Sequence, residues 1–207
     1  MYSKAQIYNL ALGALLLSRQ IINTDTDPSN EAKMLNLHWD IALNSSLQDM
    51  DLDSTSTRAT LQLIAQDPIP GWHYSYLYPA NCSFFRRIPG HHVHGQPDCR
   101  YTAERKHITI INSQKVILTN KREAIAEYIP SDFPISTLIA PAVMTIAYKL
   151  AWLASPLVTG KGALQLKKEL EQKYMAFKAE AQQQDSRENF NFVDPAIESE
   201  FVAERTS

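Results

Sequence analysis

Apolar positions dominate one stretch of the chain, FPISTLIAPAVMTIAYKLAWLASP from Phe133 to Pro156. Its polar members, Thr137, Thr145 and Lys149, share a narrow strip with Pro141 and Tyr148, because they step by three and four as one helical face does. The rest of the circumference is apolar, which describes either a helix packed on several sides or a membrane span. Lys149 near the middle is costly in a bilayer, and no basic flanks set an orientation, so the pattern predicts a buried helix and no membrane association. Ser131-Asp132-Phe133-Pro134 supplies caps and a first-turn proline for its start.

Three further amphipathic segments surround it. In Ser3 to Ser18, Ile7, Leu10, Ala11, Ala14 and Leu17 recur at helical spacing, with Ser3 as N-cap; Gly13 inside this helix predicts a close helix contact. A second helix is expected from Pro28 to about Gln48, with Asp27 as N-cap and Leu35, Trp39, Ala42 and Leu43 facing inward. The last, about Ala163 to Gln184, would bury Leu166, Leu170, Tyr174, Phe177 and Ala181.

Between these helical parts the period changes. Trp72, Tyr74, Tyr76 and Tyr78 alternate, which places four rings on one side of an extended strand. Such a row can stack bases, but no arginine or lysine is interleaved with it, and packing is the plainer use. Lys106 to Ile111 and Lys115 to Thr119 predict a hairpin around Asn112-Ser-Gln, and Ala124 to Ile129 a further strand. The expectation is a mainly α protein: a four-helix bundle with a small antiparallel β domain inserted and an extended C-terminal tail. Its parts would be 1–66 and 131–185 for the helical body, 67–130 for the β insertion and 186–207 for the tail.

Composition adds limits. The chain has 207 residues, with 20 basic and 22 acidic side chains, and its net charge of -2 exerts no global pull on nucleic acid or anionic lipid. Two cysteines, Cys82 and Cys99, are too few for a secreted disulfide framework. Asp49, Asp51 and Asp53 imitate the opening of a calcium loop, yet Ser54 and Thr60 stand where glycine and a carboxylate are needed. His91, His92, His94 and Cys99 are zinc-ligand types, but their spacing matches no zinc pattern and Pro89-Gly90, Gly95 and Pro97 describe a loop. No nucleophile elbow, phosphate loop or metalloprotease helix occurs, so the expectation is a protein without catalytic residues, cofactor or metal. The polar stretch 186–207 carries isolated apolar side chains, Phe190, Phe192, Val193, Ile197 and Phe201. They are candidate partner-binding anchors, and ordinary fraying would explain the same composition.

Taken together, Ile7-Tyr-Asn-Leu-Ala-Leu-Gly-Ala14, Ser29-Asn-Glu-Ala32 with His38-Trp-Asp40, Pro70-Gly-Trp-x-Tyr-x-Tyr-x-x-Pro79, Ala124-x-x-x-Tyr128 and Leu150-Ala-x-Leu-Ala154-x-Pro156-Leu157 form an ordered set. This set resembles the tail tubular protein A group and related head-to-tail connector adaptors of tailed bacteriophages. The likeness covers most of the chain through short motifs. It departs where Leu52-Asp-Ser-Thr-Ser-Thr replaces an aromatic motif, where Asn81 replaces an aspartate before the cysteine, and in the loop Pro89 to Arg100.

The resemblance implies a virion structural protein, made in the host bacterial cytoplasm and placed in the neck between head and tail. It would assemble as a dodecameric ring beneath the portal protein, with its tail segment reaching the portal, a tail or nozzle protein on the other side, and double-stranded DNA passing through during genome ejection. Two readings of other classes stand beside it. One is a tail-associated peptidoglycan hydrolase; the other is a nucleic-acid or zinc-binding module built on the aromatic strand or the histidine loop.

Overall fold

A computed structural model describes residues 2–90, 103–158 and 162–189. Among them are four α-helices and seven strands in two antiparallel sheets. The architecture is therefore mixed α/β, and the expected mainly α bundle with one small β domain is corrected. The described residues divide into two compact units, one formed by 2–57, 80–85, 128–158 and 162–185, the other by 58–79, 86–90, 103–127 and 186–189.

In the first unit, helix α1 (Lys4–Ala14) opens on a capping box, in which Ser3 Oγ accepts from Gln6 N and the Gln6 side chain accepts from Ser3 N. It stops four residues before its predicted end. Leu17 N donates to Leu12 O and Leu16 N to Gly13 O, a Schellman closure that puts Leu16 in the left-handed region at φ 60°. No glycine marks that position, so the sequence offered no stop signal. Nor does the expected tight contact at Gly13 exist: a Cβ built there meets nothing within 4 Å.

Helix α2 (Asn30–Met50) starts two residues later than predicted because Ser29, not Asp27, is its N-cap, accepting from Ala32 N. Asp27 instead accepts from Ser29 N at 2.9 Å, and its hydrogen bonds with Ser29 hold its carboxyl below the usual carboxylate range. Leu35, Trp39, Ala42 and Leu43 are buried as expected. Trp39 meets Tyr8 of α1 edge to face at 5.5 Å, and Tyr8 donates to Asn36 Oδ1.

Helix α3 (Ala140–Ala154) is the organising element, packed on both α1 and α2, and most of its circumference is buried. At fifteen residues it is shorter than the apolar run that contains it, and no helix among the described residues is long and apolar enough to cross a membrane. It begins at Ala140 because Pro141 has no N–H and its ring clashes with a preceding helical turn. The Phe133-Pro134 start is replaced by a 3₁₀ turn, Ile135–Thr137. Helix α4 (Ala163–Asn189) buries Leu170, Tyr174 and Ala181 and runs past its predicted end.

The four-stranded sheet has the order β2-β3-β6-β5: β2 (Leu63–Ile69), β3 (Trp72–Leu77), β5 (Lys106–Ile111) and β6 (Gln114–Thr119). The predicted hairpin is present, turning through Asn112 and Ser113, both at positive φ, as a two-residue loop requires. Strand β2 was unforeseen. Pro68 lies within it, which an edge strand tolerates, and its exposed Leu63, Ile64 and Ile69 give no alternation to read.

The three-stranded sheet has the order β1-β7-β4: β1 (Thr57–Thr60), β4 (Cys82–Arg87) and β7 (Ile125–Pro130). On β7, Glu127 is 1% exposed. Arg58 Nε donates to its Oε2 at 3.1 Å, and Arg86 and Arg87 lie 3.5 and 2.9 Å from its Oε1. One carboxylate thus ties all three strands of the sheet through side chains.

Candidate functional site

Phe190, Phe192, Val193, Ile197 and Phe201, singled out as partner anchors, lie outside the described residues, as do His91, His92, His94 and Cys99. Among the described residues no group of three histidine, cysteine or acidic side chains could hold a metal ion.

The acidic stretch after α2 has a different use from calcium ligation. Asp51 takes the left-handed C-cap of α2 at φ 50°. Asp49 Oδ2 accepts a 2.6 Å hydrogen bond from the Tyr174 hydroxyl and lies 3.8 Å from Lys149 Nζ. Further along α4, Gln182 Nε2 donates to Met50 O, and Asp185 accepts from Asp53 N and Ser54 N. Helix α4 therefore completes the hydrogen bonding of the α2 exit at both its free carbonyl and the next turn's free N–H groups.

The aromatic row is only partly a row. Tyr74 pairs with Thr119, and Thr119 with Lys106, so Tyr74, Tyr76 and Tyr78 share a sheet face with Ile117 and Lys115. Lys115 Nζ lies 3.6 Å from the Tyr78 ring centroid, and Tyr76, almost fully buried, donates to Lys121 O. Trp72 departs from this set. It stacks on His107 at 6.2 Å with Arg105 4.8 Å from its ring, and His107 belongs to the opposite face by register. Lys115 of β6 and Arg105, just before β5, thus supply the cations that the aromatic strand itself lacks, a feature invisible along the sequence.

The polar strip of the apolar run also resolves into parts. Thr145 is fully buried and donates back to Pro141 O, which satisfies its hydroxyl inside the core. Lys149 is part-buried and lies between two rings, 4.7 Å from the Tyr174 centroid and 5.6 Å from that of Trp152. Lys167 of α4 covers the Trp152 ring at 4.8 Å. Burial first, then the bond and charge of Asp49, push the Tyr174 hydroxyl well above the ordinary tyrosine range. Lys149, Trp152, Glu171, Tyr174 and Met175 line a pocket of about 120 Å³ between α3 and α4.

Sequence reasoning noticed Lys149 as a lone charge in an apolar run but had no means of pairing it with Asp49, one hundred residues earlier. No protein-family model matches the chain, and no curated protein is significantly similar to it.

Proposed function

We propose that this chain is a structural adaptor of a tailed-phage virion, closing the head and joining it to the tail beneath the portal. The observation that carries the reading is the ordered set of motifs resembling connector adaptors, because several of its residues have identifiable structural work. Tyr8 and Trp39 join the first two helices, Ser29 caps the second, and Tyr76 anchors the aromatic strand. Leu150, Ala151 and Ala154 fill the core side of α3. Motifs with such roles specify a scaffold, and a scaffold that presents surfaces for assembly is what an adaptor requires.

On this reading the chain joins a dodecameric ring on the portal, residues 186–207 engage the portal protein, and the opposite side meets a tail or nozzle protein while double-stranded DNA passes through. A near-neutral net charge suits such a conduit, since many phosphate contacts would retain the genome. The test is capture of the purified full chain by portal rings in sedimentation. The chain should co-sediment as a ring, and removal of residues 186–207 should abolish capture; a full chain that never co-sediments would sink the proposal.

A further inference from the structure

Charge is divided unequally along the chain. Among the described residues, the unit formed by 58–79, 86–90, 103–127 and 186–189 carries nine basic and five acidic side chains, a net charge of +4. The other unit carries eight basic and twelve acidic side chains, a net charge of -4. Residues 190–207 carry Asp194, Glu198, Glu200 and Glu204 against Arg205, a net charge of -3. Helix α4 ends at Asn189, inside the basic unit, so this acidic segment starts on the unit that attracts it, and the other unit repels it.

The basic unit offers a face of matching chemistry. Arg58 and Arg87 reach Glu127 from the two outer strands of the three-stranded sheet, and their side chains are 54% and 34% exposed. A guanidinium has five N–H donors, so each can take a second carboxylate while keeping Glu127. Ile125 shares the Glu127 side of β7 by alternation and is 42% exposed. The four acids of the segment are interspersed with Ile197 and Phe201, which suits a face where two guanidinium groups and an apolar side chain occur together. Reach is no obstacle: residues 190–204 span up to about 50 Å when extended, whereas a unit of about 60 residues has a radius of gyration of about 10 Å.

We propose that residues 194–204 dock on this face of their own chain, with carboxylates on Arg58 and Arg87 and an apolar side chain on Ile125. Each exposed ion pair is weak alone, but the segment is tethered to the unit that binds it, at an effective concentration on the order of millimolar. The docking rests on the charges of the chain and not on the adaptor reading. Where that reading holds, the docked face competes with the portal for the same segment.

The test compares ¹H–¹⁵N spectra of the full labelled chain and of a variant combining Asp194→Asn, Glu198→Gln, Glu200→Gln and Glu204→Gln, changes that leave every described residue as it is. The amide resonances of Arg58, Arg87 and Ile125 should shift between the two chains, while those of α2 and α3 stay in place. Raising the salt from about 0.05 to about 0.5 M should move the parent's resonances toward the variant's, because exposed ion pairs are screened. Arg58→Gln should shift the amides of 198–204 as the added salt does. These shifts should not depend on protein concentration, since the docking is within one chain. The inference is overturned if the neutralised variant leaves Arg58, Arg87 and Ile125 unmoved, or if the shifts grow with protein concentration. It is equally overturned if duplex DNA moves these resonances where the variant does not, which assigns the face to nucleic acid. Portal capture is a separate measurement, so a docked chain that portal rings never capture sinks the adaptor reading alone.

Discussion

Asp185 accepts a 2.8 Å hydrogen bond from the backbone N–H of Asp53, and its other carboxylate oxygen accepts from Ser54 N at 3.1 Å. More than a hundred residues separate the partners, yet the bond does what a local N-cap does: it satisfies the free donors at the start of the 3₁₀ turn Asp53–Thr55, where a negative charge is favourable. Leu52, the residue in the capping position, has no side-chain oxygen with which to do so.

Removing this carboxylate takes the acceptor from two part-buried hydrogen bonds. Asp185→Ala should lower unfolding stability by about 2 kcal/mol, and Asp185→Asn, which keeps one acceptor oxygen, by roughly half as much. Urea unfolding of the two variants measures this. Equal stability of Asp185→Ala and the parent would show that solvent replaces the bond.

Glu127 is the larger risk to the fold. A buried carboxylate facing Arg58, Arg86 and Arg87 cannot be neutralised without losing three charge–charge attractions at once. Glu127→Gln should cost about 3–5 kcal/mol, whereas Arg58→Ala, removing a half-exposed partner, should cost under about 1.5 kcal/mol. Thermal or urea unfolding should rank the two in that order.

Tyr8 and Tyr174 set the alkaline limit. Burial, assisted for Tyr8 by the charges of Asp25 and Asp40 and for Tyr174 by its bond to Asp49, raises both hydroxyls well above their unfolded values. A raised pKa means that the folded chain binds more protons than the unfolded chain once pH exceeds the unfolded value. Stability should therefore be undiminished by these groups below about pH 10 and fall as pH rises beyond it. Tyr8→Phe and Tyr174→Phe should each flatten that fall in urea midpoints taken between about pH 9 and 11. Unchanged slopes would show that neither tyrosine governs the alkaline limb.

What the sequence revealed and what it hid follow from the range of the interactions. Helical periodicity located the buried faces of α2 and α4, because Leu35, Trp39 and Leu170 announce their burial by spacing alone; on α1 it caught Ile7 and Ala11 but took in the exposed Leu10 and passed over Tyr8, Leu12 and Leu15. The hairpin turn at Asn112-Ser113 was equally local. Strands β1, β2 and β4 carried no such period, β1 being four residues long and β2 mostly exposed and interrupted by Pro68, and missing them produced the mistaken bundle. The pocket was hidden for another reason. Lys149 and Trp152 are neighbours on α3, but Asp49, Tyr174 and Lys167 reach them only through tertiary packing. Glu127 was passed over, although an acid inside the apolar strand Ile125–Pro130 signals a buried ion pair.

The end of α1 carries a glycine where none is needed and lacks one where the backbone calls for it. Gly13 is helical with open space around its missing Cβ, while Leu16, 84% exposed, holds the left-handed position of the Schellman closure. Gly13→Ala should therefore stabilise the chain by about 0.5–1 kcal/mol, since alanine loses less backbone entropy in a helix and meets no obstacle. Leu16→Gly should gain about 1 kcal/mol by relieving the clash between a Cβ and its carbonyl, and it removes little buried surface. The sites are three residues apart and share the Leu16 N–H to Gly13 O bond, so the double variant tests whether the gains add. Differential scanning calorimetry of the four chains should show a higher Tm for each single variant and the highest for the double; a lower Tm for Gly13→Ala would show that the space around residue 13 is not open in the folded chain.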